Sequence, residues 1–436
     1  MFLVATLAAL ALTGARTEDD LAYLKSVAHA VVDSAVVAPQ GQIPNGGKNL
    51  TNCTLRVPGG TQTYYPAFWV RDASMMLGAD LVPADELLGW IKVIAATQPG
   101  PDGLTFPHGL RVPPYSIPDH ITLAGEACWY PGAYANQGVG DYGYLPPADD
   151  AFYFIQMVWE RARLTKSRAV LDVPVKTGWG EHRIGEVCER AFASVDADEA
   201  GMVVCSDVRG KGRVDWGFCD SITKTGSCLM PSLLRWQAAT RLGRLFAGNS
   251  SKSNEYRGCA SWIAKGIVPA FYRPLGKGEG MLISATGLGK KDDVWASAFA
   301  VSLHVLPRDI ELAISRHLLR LVREGGAVVD GQVRHMPLSG EFGGYWEKAS
   351  SGHDTYQNGG FWATPTGWLI VALRKVDRRA SDKLLAEYVS YIRANREKGA
   401  PFEWINPATH TTANGNYGSS AGLVYCALAE ARFYGK

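Results

Sequence analysis

Apolar residues recur at three- and four-residue spacing from one end of the chain to the other, and strict two-residue alternation is rare. The pattern predicts helices at 18–37, 73–81, 84–97, 149–165, 182–195, 226–247, 254–270, 291–305, 308–324, 364–376, 380–397 and 416–433, with few strands. The links between them alternate in length. Val82-Pro83 follows the second helix, Leu306-Pro307 the eighth and Val376-Asp377-Arg378 the tenth. The links leading into even-numbered helices are mostly long and rich in Gly, Pro, Trp and Tyr. Short links make antiparallel neighbours, so the expected architecture is all-α: six helical hairpins in a ring, an (α/α)6 barrel with the long loops gathered at one end.

Each even-numbered helix is introduced by a polar-aromatic motif. In chain order these are Phe68-Trp69-Val70-Arg71-Asp72, Leu145-Pro146-Pro147-Ala148-Asp149-Asp150 and Val214-Asp215-Trp216-Gly217-Phe218-Cys219-Asp220-Ser221. Ser284-Ala285-Thr286-Gly287 runs on to Asp292-Asp293-Val294-Trp295, and Tyr356-Gln357-Asn358-Gly359-Gly360-Phe361-Trp362 follows. The last is Phe402-Glu403-Trp404-Ile405-Asn406, running on to Asn416-Tyr417-Gly418-Ser419. Asp, Ser and Asn at these places also serve as helix N-caps. Capping does not call for Trp, Tyr and Gln-Asn alongside, so the expectation is one shared mouth.

Composition narrows the function. The chain is 47% hydrophobic and 10% aromatic, with 13 Trp and 18 Tyr, enough for a large core and for ring platforms. A net charge of +2 with no clustered Lys/Arg stripe argues against a nucleic-acid partner. Residues 1–15 read as a secretory leader, Phe2 to Leu12 forming its apolar stretch, and 16–436 as a single catalytic domain. The leader is too short to span a bilayer, and no membrane partner is expected. The protein is therefore expected to be secreted, or periplasmic in a bacterium. In that setting the eight cysteines are expected to pair, Cys219 and Cys228 being close enough to staple a loop. Asn49, Asn52 and Asn249 sit in glycosylation acceptor patterns.

The stretch Tyr64-Tyr65-Pro66-Ala67-Phe68-Trp69-Val70-Arg71-Asp72-Ala73-Ser74 places aromatic faces beside a guanidinium and a carboxylate, which suits a flat, hydroxylated ligand. Arg71 and Asp72 are expected to grip sugar hydroxyls. Hydrolysis of a glycoside with inversion needs a protonated carboxyl over the scissile bond and a carboxylate holding water roughly 6.5–9.5 Å away. Asp215 is the candidate acid, because Val214, Trp216 and Phe218 would disfavour its charged form; Asp220 competes for the role. Glu403, between Phe402 and Trp404, is the candidate base, with Glu341 in reserve and Asn406, His410 or Tyr417 to help position the water. His108, Asp119, His120, Arg334, His335, Gln357 and Asn358 are expected to meet hydroxyls, and Trp69, Trp216, Trp362 and Trp404 to form walls. Arg and His at the mouth leave room for an anionic sugar.

These motifs on a ring of hairpins resemble the six-hairpin glycosidase superfamily, which includes glucoamylase and trehalase. Trp69-Val70-Arg71-Asp72 is similar to the Trp-x-Arg-Asp segment of glucoamylase, whose Arg-Asp pair grips the terminal sugar. Glu403 ahead of Tyr417-Gly418-Ser419-Ser420-Ala421 looks like that family's base. Asp215-Trp216-Gly217-Phe218 is similar to the Gly-Trp-Asp-aromatic acid motif of trehalase, with its order permuted. The resemblance implies an inverting, exo-acting hydrolase of a carbohydrate substrate that needs no cofactor.

Two other classes fit the same ring. A polysaccharide lyase or uronide-processing enzyme would use His120, His335 or Tyr356, and a non-catalytic glycan-binding protein would need neither Asp215 nor Glu403. Gly418-Ser419-Ser420-Ala421-Gly422 matches the serine-hydrolase elbow, but no strand precedes it and no His follows it. Metal-ligand spacings and a phosphate-binding glycine loop are absent from the sequence.

Overall fold

The computed structural model describes residues 2–44, 47–59, 65–107, 109–129, 145–205 and 213–431, with side chains from residue 17 onward. The side chains of the expected leader, Tyr64 and His108 lie outside the described residues. Among those described are twelve α-helices in six successive pairs. They are α1 (Phe2–Ser34) and α2 (Val70–Met75), α3 (Ala84–Ala95) and α4 (Asp150–Thr165), and α5 (Ile184–Ala193) and α6 (Leu229–Leu245). The second half holds α7 (Ser250–Phe271) and α8 (Val294–Leu303), α9 (Arg308–Arg323) and α10 (Thr366–Arg374), and α11 (Arg378–Asn395) and α12 (Gly418–Glu430).

The even helices close a ring: α2 packs on α4, α4 on α6, α6 on α8, α8 on α10, α10 on α12, and α12 back on α2. The odd helices lie outside, with α1 against α11 and α12, α3 and α5 against α4, α7 against α6, α9 against α8 and α10, and α11 against α10. This is the expected (α/α)6 barrel. The sequence explains the two layers. Inner α8 buries every residue from Val294 to Val301. Outer α9 buries a stripe including Ile314, Leu318 and Leu321 while Arg316, Arg320 and Arg323 face water. Each fully buried Leu, Ile or Phe contributes about 1.5–3 kcal/mol, and one cluster of such residues runs from Leu21 to Leu428.

The structure departs from the sequence pattern in several places. Helix α2 begins earlier and is shorter than expected, so Arg71 and Asp72 occupy its first turn. It stops where Gly78, Ala79 and Asp80 take positive φ (116°, 45° and 61°). The long connections hold more strands than the pattern suggests, in antiparallel ladders of two- to five-residue strands. Two of these ladders build the mouth: one of three strands (Ala67–Trp69, His120–Thr122, Ala127–Cys128) and one of five (Val328–Val329, Gln332–Arg334, Phe361–Trp362, Trp404–Asn406, Thr411–Ala413).

The expected disulfides are absent: all eight cysteines are free thiols. Six of them are buried and Cys53 and Cys259 are half-buried, while Cys205 and Cys228 share one small apolar cluster. Cys219 Sγ faces His335 Nδ1 (3.3 Å) and Cys228 Sγ faces the Gly226 carbonyl (3.6 Å), so the two do not staple a loop. Asn49 is also no glycan acceptor. It is fully buried, and its amide donates to the Val37 and Cys53 carbonyls (2.8 and 3.0 Å). Asn52 and Asn249 are exposed, and Asn249 caps α7 by accepting from Lys252 N–H (3.2 Å).

Candidate active site

At the N-terminal ends of the inner helices lies a cleft lined by Tyr65, Trp69, Arg71, Asp72, Asp119, His120, Gly217, Phe218, Asp220, Tyr356, Glu403 and Tyr417. The first ladder builds one wall. Trp69 and His120 are directly opposed in its register, which places both side chains on one face. Their rings stack 4.4 Å apart at 25°, and Tyr65 meets Trp69 edge-on at 5.0 Å.

Arg71 is the knot beneath this wall. Its buried guanidinium donates to Asp149 through Nε (2.6 Å) and Nη2 (3.1 Å), to Asp119 (3.3 Å) and to Asp150 (3.3 Å). Three carboxyls around one cation cannot all be charged cheaply, and Asp150 and Asp119 shift in opposite directions. Burial raises Asp150 well above the usual range, against the pull of Arg71, and the neighbouring charges of Asp149 and Asp119 add to the rise. Burial also opposes the charge on Asp119, but the His120 hydrogen bond (2.7 Å) and Arg71 outweigh it and hold Asp119 low. Burial pulls His120 down too, yet Asp119 and Cys128 raise it to about 9, so the imidazole is a cation at neutral pH. Both cleft cations are thus committed to carboxylates. The same knot fixes the loop before α6: Gly217 N–H donates to Asp149 Oδ2 (3.2 Å), and a Cβ on Gly217 would lie 1.7 Å from Arg71 Cζ.

Asp72 is buried next to Arg71. Its Oδ1 accepts from Tyr417 Oη (2.7 Å) and Ser419 Oγ (3.0 Å), and burial raises its pKa. Asp72 suits the sugar-gripping role expected of the Arg71-Asp72 pair, whereas Arg71 spends nearly all its donors on orienting carboxylates.

Two further carboxyls enter the cleft from different hairpins. Asp220 follows a 3-10 turn at Gly217–Cys219, and its Oδ1 accepts from Gln357 Nε2 (2.8 Å). Gln357 Oε1 in turn accepts from Ser221 N–H (3.1 Å), so one buried amide holds the Asp220-Ser221 turn. Burial lifts Asp220 to about 6. Glu403 precedes the strand Trp404–Asn406, its backbone N–H tied to the Ala413 carbonyl (3.0 Å). Oε1 accepts from Tyr65 Oη (2.9 Å), and Oε2 accepts from the Asn414 amide. Burial pushes Glu403 up to about 8, against those two donors, with the charges of Asp72 and Asp220 adding to the rise.

Other candidates lie elsewhere. Asp215 does not line the cleft; it is buried behind it and pairs with Lys224 Nζ (3.1 Å). Trp216 and Trp362 are fully buried and pack on Trp295 behind the cleft, each also touching the cleft-lining Phe218 edge-on. Arg334 donates to the carbonyls of Gly359 (3.3 Å) and Pro337 (3.1 Å). His335 stacks on Trp295 (4.2 Å) and lies 3.2 Å from Asp293. Asn358 accepts from Trp346 N–H (3.1 Å). Trp404 is half-buried and covers Gly360, and Glu341 is exposed. Buried polar groups need partners, so Arg334, His335 and Asn358 satisfy the loops instead of facing a ligand. Three contributions are not legible in the sequence: Asn414 and Tyr65 as donors to Glu403, Tyr65 being marked there only as one of the aromatic faces near Arg71, and Gly217 as the gap that admits Arg71. A lone glycine between Trp216 and Phe218 was the nearest hint.

Neither the known protein-family models nor the curated proteins include a match to this chain. Solved structures share its fold. A GH63 mannosylglycerate hydrolase from Thermus thermophilus in complex with glucose superposes with a TM-score of 0.55 at 12% identity, over 92% of this chain and 99% of that one. An uncharacterized conserved protein from the same organism gives 0.55 at 13%, with the same coverage. A rhamnosidase from Klebsiella oxytoca with rhamnose bound gives 0.52 at 13%, covering 96% of this chain and 64% of that one. The chain thus spans just under two thirds of the rhamnosidase's length.

Proposed function

We propose that this chain is an exported glycoside hydrolase that releases a terminal sugar with inversion, Asp220 acting as general acid and Glu403 as general base. The observation that carries the reading is that two carboxyls of raised proton affinity, supplied by the α5–α6 and α11–α12 connections, line one aromatic cleft. Asp220 donates its proton to the departing oxygen while Glu403 takes one from the attacking water. Tyr65 and Asn414 donate to opposite oxygens of Glu403, which suits an acceptor. The higher proton affinity belongs to Glu403, so hydrolysis draws on the minority tautomer of the singly protonated pair, the one with its proton on Asp220. The two solved relatives described as a hydrolase and a rhamnosidase support the chemistry. The apolar segment Phe2–Leu12 supports export. The buried floor of Arg71, Asp72 and Tyr417 supports exo-action, since it gives the cleft a polar end wall for a terminal sugar.

The charge balance favours a neutral sugar. Arg334 and His335 point into the fold, and Arg71 and His120 are already paired, so no cation among the described cleft residues is left to meet a uronate. A His120 held protonated to about 9 is also a poor base for a lyase.

A screen with nitrophenyl glycosides of neutral and uronic sugars, followed by NMR of the first-formed anomer, tests the reading. Turnover of a neutral glycoside with inverted product is expected. Sugar binding without turnover across a broad glycan panel would sink the enzyme reading, and an unsaturated product would replace it with a lyase.

A further inference from the structure

We propose that Asp215 and Lys224 are positioning residues that hold the Asp220 loop in register, an inference that rests on Asp220 being the general acid. Asp215 precedes Asp220 by five residues and Lys224 follows it by four. Their side chains meet at 3.1 Å, both buried, so the ion pair closes the base of a loop with Asp220 at its apex. The loop is fastened around that clasp. Cys219 N–H donates to the Trp216 carbonyl (2.7 Å), Ile222 N–H to Cys219 (3.1 Å) and Thr223 N–H to Lys348 (3.0 Å). The Trp346 ring covers the Lys224 ammonium at 4.8 Å.

Neither charge lines the cleft, so neither does chemistry. Nor is stability an adequate reason for them. Two buried charges lose hydration on the order of what their attraction returns, and an apolar pair of similar volume often does as well. What an ion pair supplies and an apolar pair does not is a fixed distance. A displacement of about 1 Å at a reacting group costs on the order of 10²-fold in rate.

The test compares Asp215→Asn, the paired Asp215→Leu/Lys224→Met variant, Asp220→Asn and wild type. Two substrates share the glycon found by the screen above: one with a dinitrophenyl leaving group that departs without protonation, and one with an alkyl group that needs it. The paired variant removes both charges, so it folds even if Asp215→Asn does not, and thermal unfolding checks this. The expected result is a folded paired variant that loses roughly 10²-fold in kcat on the alkyl glycoside and far less on the dinitrophenyl one, with KM little changed. Equal losses on both substrates, or a paired variant as active as wild type, overturns the positioning role while leaving Asp220 in place. Asp220→Asn losing equally on both substrates, or a wild type inert on both, overturns the acid assignment and this inference with it.

Discussion

The two carboxyls that line the cleft are separable at the residue level. Asp220→Asn should lose roughly 10²–10⁴-fold on glycosides with poor leaving groups and much less on dinitrophenyl glycosides, since general acid catalysis matters only where the leaving oxygen needs a proton. Glu403→Gln should lose activity on both, because neither substrate supplies the water-activating base; steady-state kinetics on the two substrates checks each. The pair shares one proton between about pH 6 and about pH 8. The pH profile of kcat/KM should therefore be a bell with limbs near those values, whichever carboxyl holds the proton in the empty cleft. Stability should move as well. Folding raises Glu403 above its unfolded value of 4.5 and His120 above 6.5, so the native state binds more protons than the unfolded one across that window. Their contribution is complete below about pH 4.5 and is lost as pH rises through about 8 and 9. The melting temperature should therefore fall across that range, and Glu403→Gln should flatten the lower part of the fall in a calorimetric series.

Backbone elements place these side chains, and one glycine shows how tightly. Gly217 stands where Arg71 crosses under the α6 entry loop, so Gly217→Ala must displace the guanidinium or the turn that carries Asp220. A loss of about 1–3 kcal/mol in stability, together with reduced turnover, is expected from denaturant unfolding and kinetics; an unchanged kcat would contradict the contact. Much at this level was legible in the sequence. Helices α8 to α11 follow from periodicity, and Glu403, Asp72 and Asp220 stand in motifs that do meet at the mouth. The choice of Asp215 as acid rested on apolar neighbours, which burial does supply: its pKa is raised, though Lys224 opposes the rise. Sequence neighbours cannot say that the same burial hides the carboxyl from the cleft.

For the whole molecule, the last hairpin must close on the first. Tyr417 and Ser419 at the start of α12 donate to Asp72 on α2, so the seam of the ring and the floor of the cleft are the same hydrogen bonds. Tyr417→Phe leaves the buried Asp72 carboxylate short of a donor, which costs about 1–3 kcal/mol. It should raise KM while lowering the melting temperature, whereas a purely structural seam would leave KM alone.

By itself the sequence determined the helical ring. A 3.6-residue apolar period and alternating link lengths are local properties, and packing amphipathic hairpins leaves few other arrangements. It also determined that polar-aromatic loops gather at one end, because every second helix begins there. Which polar residues face the cleft was decided only in three dimensions. A carboxyl turned toward a buried lysine and one turned toward the cleft read alike along the chain, as Asp215 and Asp220 do. Their difference is set by partners such as Lys224 and Gln357 and by the room that Gly217 leaves for Arg71. The free thiols have the same cause: an even cysteine count permits pairing, but only the fold decides which sulfurs reach bonding geometry, and here all eight stay thiols, Cys205 and Cys228 in contact among them.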